Sequence, residues 1–167
     1  TYRTNFARIK SVMSLLLKTT KIMNEWTDYN NHMNLSFYIL VFDKSAEKIL
    51  SKFKMGEESA LQTKKSTMVI ETHTTYNNEV KENDNVDVYL SYCDHDKKRL
   101  HYKLEMYEKT KNILSATTEI LALYIDLNVR KVAEFEKEKI LIMDKFINEN
   151  KSKFKFDNLQ FLNKLKK

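Results

Sequence analysis

Proline is absent from this 167-residue chain, and glycine and cysteine occur once each, as Gly56 and Cys93. These absences exclude several mechanisms. A GxGxxG dinucleotide fingerprint, a Walker P-loop and a GxSxG nucleophile elbow each need more than one glycine. A single cysteine makes neither an intrachain disulfide nor a Cys-rich zinc site, and it suits a reducing, cytoplasmic compartment. No run of about 18 apolar residues is present, so no membrane-spanning helix and no membrane partner are expected. What remains is 42% hydrophobic and 31% charged, the composition of a globular chain. The length matches one domain, large enough to fold on its own core.

The formal net charge is +6, but it is unevenly spread. Residues 1–21 hold five Lys/Arg and no acid, and residues 132–167 hold nine against six, whereas residues 22–131 hold 15 against 17. A nucleic-acid reader carries a basic stripe on its folded surface, and here the excess sits at both ends. Nucleic acid is therefore not an expected partner, and the ends read as solvated tails. Residues 1–12 (TYRTNFARIKSV) are basic without acids, like a short targeting or appended segment, and Met13 follows them. The expected organisation is an N-terminal extension over 1–16, one domain over 17–132 and a C-terminal helical extension over 133–167.

Without proline, turns must be written in Asn and Asp, which tolerate left-handed backbone. They cluster at Asn30–Asn31, Asn77–Asn78, Asn83–Asn85, Asp94–Asp96 and Lys111–Asn112. Between them the period changes. Leu35, Phe42 and Ile49 share one heptad position and Ile39, Ala46 and Phe53 another, which predicts a helix over 35–53 stopped near Gly56. A period of two follows: Met68, Ile70, Thr72, Thr74, Tyr76; then Val86, Val88, Leu90, Tyr92; then Leu100, Tyr102, Leu104, Met106. Residues 114–126 are apolar on both faces, as in a central strand, and 17–27 reads as a strand ahead of the helix. A second helix is expected over 133–149 and a short helical tail over 154–165. The order is that of an α+β domain, a long helix wrapped by a curved antiparallel sheet.

Chemistry concentrates in Trp26-Thr27-Asp28-Tyr29-Asn30-Asn31-His32-Met33-Asn34, which leads into the helix N-terminus. There, backbone N–H groups and the helix dipole favour developing negative charge, so a carboxylate facing them can attack a carbonyl or activate water. On the residues alone, Asn34 is equally an N-cap and Asp28 a turn former. Glu71 and His73 fall on one strand face, and Glu119, inside an apolar strand, needs a partner or a substrate contact. His32, His73, His95 and His101 are scattered, so neither a catalytic metal nor any cofactor is expected. The polar hairpin Asp94–Arg99 reads as a solvated turn and Cys93 as a small core or edge residue.

The segment EWTDYNNHMNLSFY resembles the signature of hotdog-fold acyl-CoA thioesterases of the 4-hydroxybenzoyl-CoA thioesterase type, written as Asp, two variable residues, Gly, His, an aliphatic residue and Asn. ETHTTYNNEVKENDNV, CDHDKKRLHYKLEMYE and SATTEILALYIDLNVRKV continue the similarity across about 17–132, closest to the betainyl-CoA thioesterase branch, found beside or fused to carnitine dehydrogenase. The resemblance implies a hotdog fold, thioester hydrolysis of acyl-CoA, and assembly as a homodimer or dimer of dimers. It matches Asp28 to the catalytic carboxylate, with His32 and Asn34 shaping the loop and the backbone at Asn31 and His32 polarising the thioester. Asn31 stands where the family has glycine, so a non-catalytic acyl-CoA-binding module is the alternative. For a cationic acyl group, Trp26, Tyr29, Tyr38 and Tyr76 offer aromatic faces, and Glu71, His73 and Glu119 are further pocket candidates. Lys64, Lys65, Arg99 and Lys131 are candidates for the coenzyme phosphates.

Overall fold

The computed structural model describes residues 15–167, so the expectation for residues 1–12 lies outside the described residues. Strand β1 (Leu15–Lys21) is followed by helix α1 (Leu35–Lys52), a short α2 (Glu57–Thr63), then β2 (Lys65–Tyr76), β3 (Asn85–His95), β4 (Arg99–Glu108), β5 (Ile113–Asp126) and β6 (Lys131–Val132), and finally α3 (Lys137–Asn150). Every strand pairing is antiparallel, in the order β1-β3-β4-β5-β2 with β6 against β5. The expected α+β plan is thus present. The strand expected over 17–27 stops at Lys21, because Asn24–Trp26 turns into a 3₁₀ helix that drops Trp26 into the core.

Helix α1 lies along one sheet face, where Tyr38, Val41, Phe42, Ala46 and Ile49 join Val86, Val88, Leu90, Leu104, Met106 and Tyr124 in one core. Its buried stripe differs from the heptad reading at the first two turns. Leu35 is 64% exposed and Ile39 41% exposed, so the inward role there belongs to Tyr38. The helix ends at Phe53, with Lys54 in the left-handed region (φ 57°) that glycine usually fills. Gly56 instead precedes α2, a helix the sequence pattern did not announce. A Cβ there would stand 2.3 Å from Glu47 Oε1 and 2.5 Å from Ser51 Oγ, so close approach to α1 is what requires glycine.

Bulges bend the sheet and redirect side chains. The register slips at Ile70, so Glu71 rather than Ile70 opposes Leu121. It slips again at Ser91, which turns Tyr92 away from the Leu90 face onto the outer face, against His101, Phe154 and Phe156. Strict alternation groups Tyr92 with Val86, Val88 and Leu90, and the extra residue in the strand is the reason it leaves their face.

Helix α3 packs against the end of α1 through Phe146 on Phe53. Beyond it the helical tail expected over 154–165 is mostly irregular, with only Leu162–Lys164 in a 3₁₀ turn. This segment is a strap across the outer sheet face, not a solvated tail. Lys155 pairs with Glu105, Lys164 with Glu71 and Lys167 with Asp94, while the Lys166 N–H donates to Asp96. The basic excess at the C-terminal end is therefore matched by an acidic sheet face.

Candidate active site

The Asp28 loop is a tight hairpin. Asp28 N–H donates to the His32 carbonyl, Asn31 N–H to the Asp28 carbonyl, and Thr27 bridges Met33. Asn31 sits at φ 61°, the left-handed position that closes a three-residue loop, so asparagine performs the conformational task of the family's glycine. Asp28 Oδ1 accepts the Asn30 N–H at 2.8 Å, and Oδ2 has no partner among the described residues. Asn34 caps α1: its side-chain oxygen accepts from Ser36 N–H at 3.1 Å and from Ser36 Oγ at 2.7 Å.

A second segment holds this loop from the side. Met33 N–H donates to the Val80 carbonyl at 2.7 Å, His32 bridges Lys81, and Val80 is fully buried. His32 Nε2 lies 2.9 Å from Glu79 Oε2. The Asn31, Met33 and Asn34 N–H groups are all engaged within this framework. Asn31 therefore offers no backbone donor to a ligand, which corrects the expectation for it. The His32 and Leu35 N–H groups have no acceptor among the described residues.

Beside the loop opens a cleft of about 650 Å³, whose walls include His32, Leu35, Tyr38, Tyr76, Glu79 and Glu108. Tyr38 and Tyr76 meet edge to face, with ring centroids 5.3 Å apart. The Tyr38 hydroxyl donates to the Asn78 carbonyl at 3.4 Å, and burial, with the nearby Glu79 charge, raises its pKa. Glu108 accepts the Thr110 and Lys111 N–H groups; burial alone would raise its pKa, but these bonds hold it below the ordinary range. Lys81 and Lys111 supply positive charge to the same walls.

The remaining candidates are dispersed. Trp26 is buried and stacks on Phe37 at 5.7 Å, and Tyr29 is 93% exposed at the loop tip. Glu71, His73 and Glu119 fall on the outer sheet face, since each is in register with an outward residue and the sheet separates them from α1. Glu119 does have partners: His101 Nε2 at 2.7 Å and the N–H groups of Gln160 and Phe161 in the strap. Burial keeps the His101 imidazole neutral with its pKa lowered, against the opposing pull of Glu119. Its Nδ1 is then a bare acceptor, which accounts for its lack of a partner. Lys65 and Arg99 pair with Glu136 and Asp96 at the far end of the sheet, and neither they nor Lys64 nor Lys131 line the cleft. Cys93 is buried, and its thiol pKa is pushed far up by desolvation. Glu79 and Glu108 were not read as a site with the Asp28 loop, because they follow it by some fifty residues or more.

The model of the thioesterase-like superfamily matches residues 23–146, which includes the whole loop and cleft and every strand of the sheet except β1. The chain belongs to this superfamily. A betainyl-CoA thioesterase from Pseudomonas aeruginosa is 31% identical over 128 residues, 75% of this chain and 80% of the relative. An L-carnitine dehydrogenase/betainyl-CoA thioesterase from Rhizobium meliloti is 27% identical over 118 residues, 70% of this chain but 23% of that longer protein. A Staphylococcus aureus protein solved in complex with CoA superposes with a TM-score of 0.77 at 23% identity, covering 90% of this chain and 93% of its own. A putative thioesterase from Pseudomonas putida superposes at 0.74 with 20% identity, covering 88% and 95%. The thioesterase-like chain thus has the hotdog fold, with α1 as the helix that the sheet wraps.

Proposed function

We propose that this chain hydrolyses the thioester of a small acyl-CoA, with a cationic, betainyl-like acyl group as the preferred substrate. The observation that carries this reading is the juxtaposition of the Asp28 hairpin and the α1 N-terminus with a cleft walled by Tyr38, Tyr76 and carboxylates. Sequence similarity to a betainyl-CoA thioesterase supports it. Asp28 would supply the reacting carboxylate through Oδ2, either attacking the thioester carbonyl, with loss of the CoA thiolate and a mixed anhydride that water then cleaves, or deprotonating the water that attacks. The His32 and Leu35 N–H groups are the donors proposed for the oxyanion. Tyr38 and Tyr76 would hold a trimethylammonium group by cation–π attraction, about 0.5–2 kcal/mol per ring. Lys81 and Lys111 replace the earlier basic candidates as partners for the coenzyme phosphates.

Asp28 itself does not line the cleft, and that observation favours two refinements. The first is a dimer through the β2 edge, where Met68, Val69 and Ile70 stand exposed, so that a second copy closes the site. The second is the non-catalytic reading, in which the chain binds an acyl-CoA without cleaving it. Thiol release from betainyl-CoA, acetyl-CoA and a longer-chain acyl-CoA decides between hydrolysis and binding. Turnover fastest on betainyl-CoA is the expected result; binding without thiol release favours the module.

A further inference from the structure

The cleft carries three carboxylates, and their commitments differ. Glu108 uses both oxygens on the N–H groups of its own hairpin turn. Asp84 is tied into the turn at 81–84, accepting the Lys81 N–H at 2.9 Å while its own N–H returns to the Lys81 carbonyl. Glu79 belongs to no turn. Its one side-chain contact is Oε2 with the His32 ring, and Oε1 has no partner among the described residues. Its backbone is fixed all the same, because the next residue, Val80, is fully buried and bonded to Met33. Position is therefore firm while the charge is available.

We infer that Glu79 is the specificity-determining residue for a cationic acyl group, its free carboxylate oxygen supplying the counter-charge in the cleft that Tyr38 and Tyr76 also line. This rests on the thioesterase reading above and adds to it the residue that sets the substrate's charge. Aromatic faces alone attract a quaternary ammonium but also accept a neutral group of the same shape through apolar contact. A fixed negative charge separates the two, since only the cation gains from it. The lysines in the same walls do not cancel the effect. They bring the opposite sign to one cleft, which suits a ligand cationic at its acyl end and anionic at its phosphates. The Glu79 side chain is 64% exposed, so water screens the interaction to a modest size.

Betainyl-CoA and 3,3-dimethylbutanoyl-CoA have acyl groups of nearly one shape, a quaternary nitrogen in one replaced by a quaternary carbon in the other. The ratio of their kcat/KM values in the wild type and in Glu79→Gln reads the charge alone. The expected result is a fall in the betainyl preference of about tenfold, the scale of one screened ion pair at about 1.4 kcal/mol. Glu79→Lys should lower the ratio further. A ratio unchanged within about twofold overturns the proposal, including the case where both substrates lose equally, since Glu79 would then act only by orienting His32. The same ratio is read in Kd by calorimetry, so a wild type that binds both but cleaves neither counts against the hydrolase reading and still decides the role of Glu79.

Discussion

Asp28 holds the Asn30 N–H with one carboxylate oxygen and leaves the other open, so a single substitution separates its turn-forming role from its chemistry. Asp28→Asn keeps an acceptor for Asn30 and removes the charge and basicity. Loss of a positioned base costs about 10²–10⁴-fold in rate, and loss of a nucleophile at least as much. The loss should appear in kcat, with KM little changed because it reflects mostly contacts to the coenzyme. A variant keeping more than about a tenth of wild-type kcat would leave Asp28 as a turn residue only. Asn34→Ala is the contrasting substitution: it removes an observed cap and should cost about 1 kcal/mol of stability in urea titration, with a smaller effect on turnover.

Among the elements, the C-terminal strap depends most on one side chain. Glu119 is 1% exposed and accepts from His101 and from two strap amides, so Glu119→Ala leaves several buried donors without an acceptor. A stability loss of about 3 kcal/mol is expected. Hydrogen exchange should accelerate at Gln160 and Phe161 before the sheet opens; unchanged exchange there would mean that Phe154 and Phe161 packing holds the strap instead. This element also marks the boundary of what the sequence disclosed. Helix α1 and the strands were legible because burial on one face imposes a period of 3.6 or 2. The bulges at Ile70 and Ser91 were not, because one extra residue changes the face of Tyr92 without changing composition. The strap was misread as helical because its order comes from Glu119, over forty residues away, and not from its own spacing. At the site, the Asp28–Asn34 loop announced itself by its run of polar residues, whereas Glu79 sat unmarked in a stretch that read only as turns.

For the whole molecule, buried ionisable groups fix how stability responds to acid. His101 has a lowered pKa in the folded chain, so below about pH 6.5 the unfolded chain takes up protons that the folded chain refuses. Stability should fall as pH drops through that range and level off once the native imidazole protonates. Glu136 adds a second step. Burial would raise its pKa, but bonds from Lys65, Tyr124 and Lys139 outweigh that and hold it at about 2. Its contribution is present above about pH 4.5 and is lost as pH falls toward 2. Urea midpoints measured from pH 8 to 3 should show both slopes, and His101→Gln should flatten the first. Assembly is tested at the same scale: Val69→Lys on the exposed β2 edge should shift light scattering from dimer toward monomer, and a wild type already monomeric at micromolar concentration would remove the proposed edge-to-edge pair.

Among the described residues seven adopt left-handed backbone, and none is glycine: Asn31, Lys54, Lys64, Asn83, Asn112, Arg130 and Asn158. Asparagine tolerates that region, but for Lys54, Lys64 and Arg130 it costs about 1–2 kcal/mol each. The fold therefore holds unrealised headroom for thermostabilisation at three surface positions remote from the loop and cleft. Glycine there would relieve the strain and return part of the gain as unfolded-chain entropy, a net of about 0.5–1 kcal/mol per site. Sites that share no partners add, so the triple variant should melt several degrees higher in calorimetry while its turnover stays that of the parent.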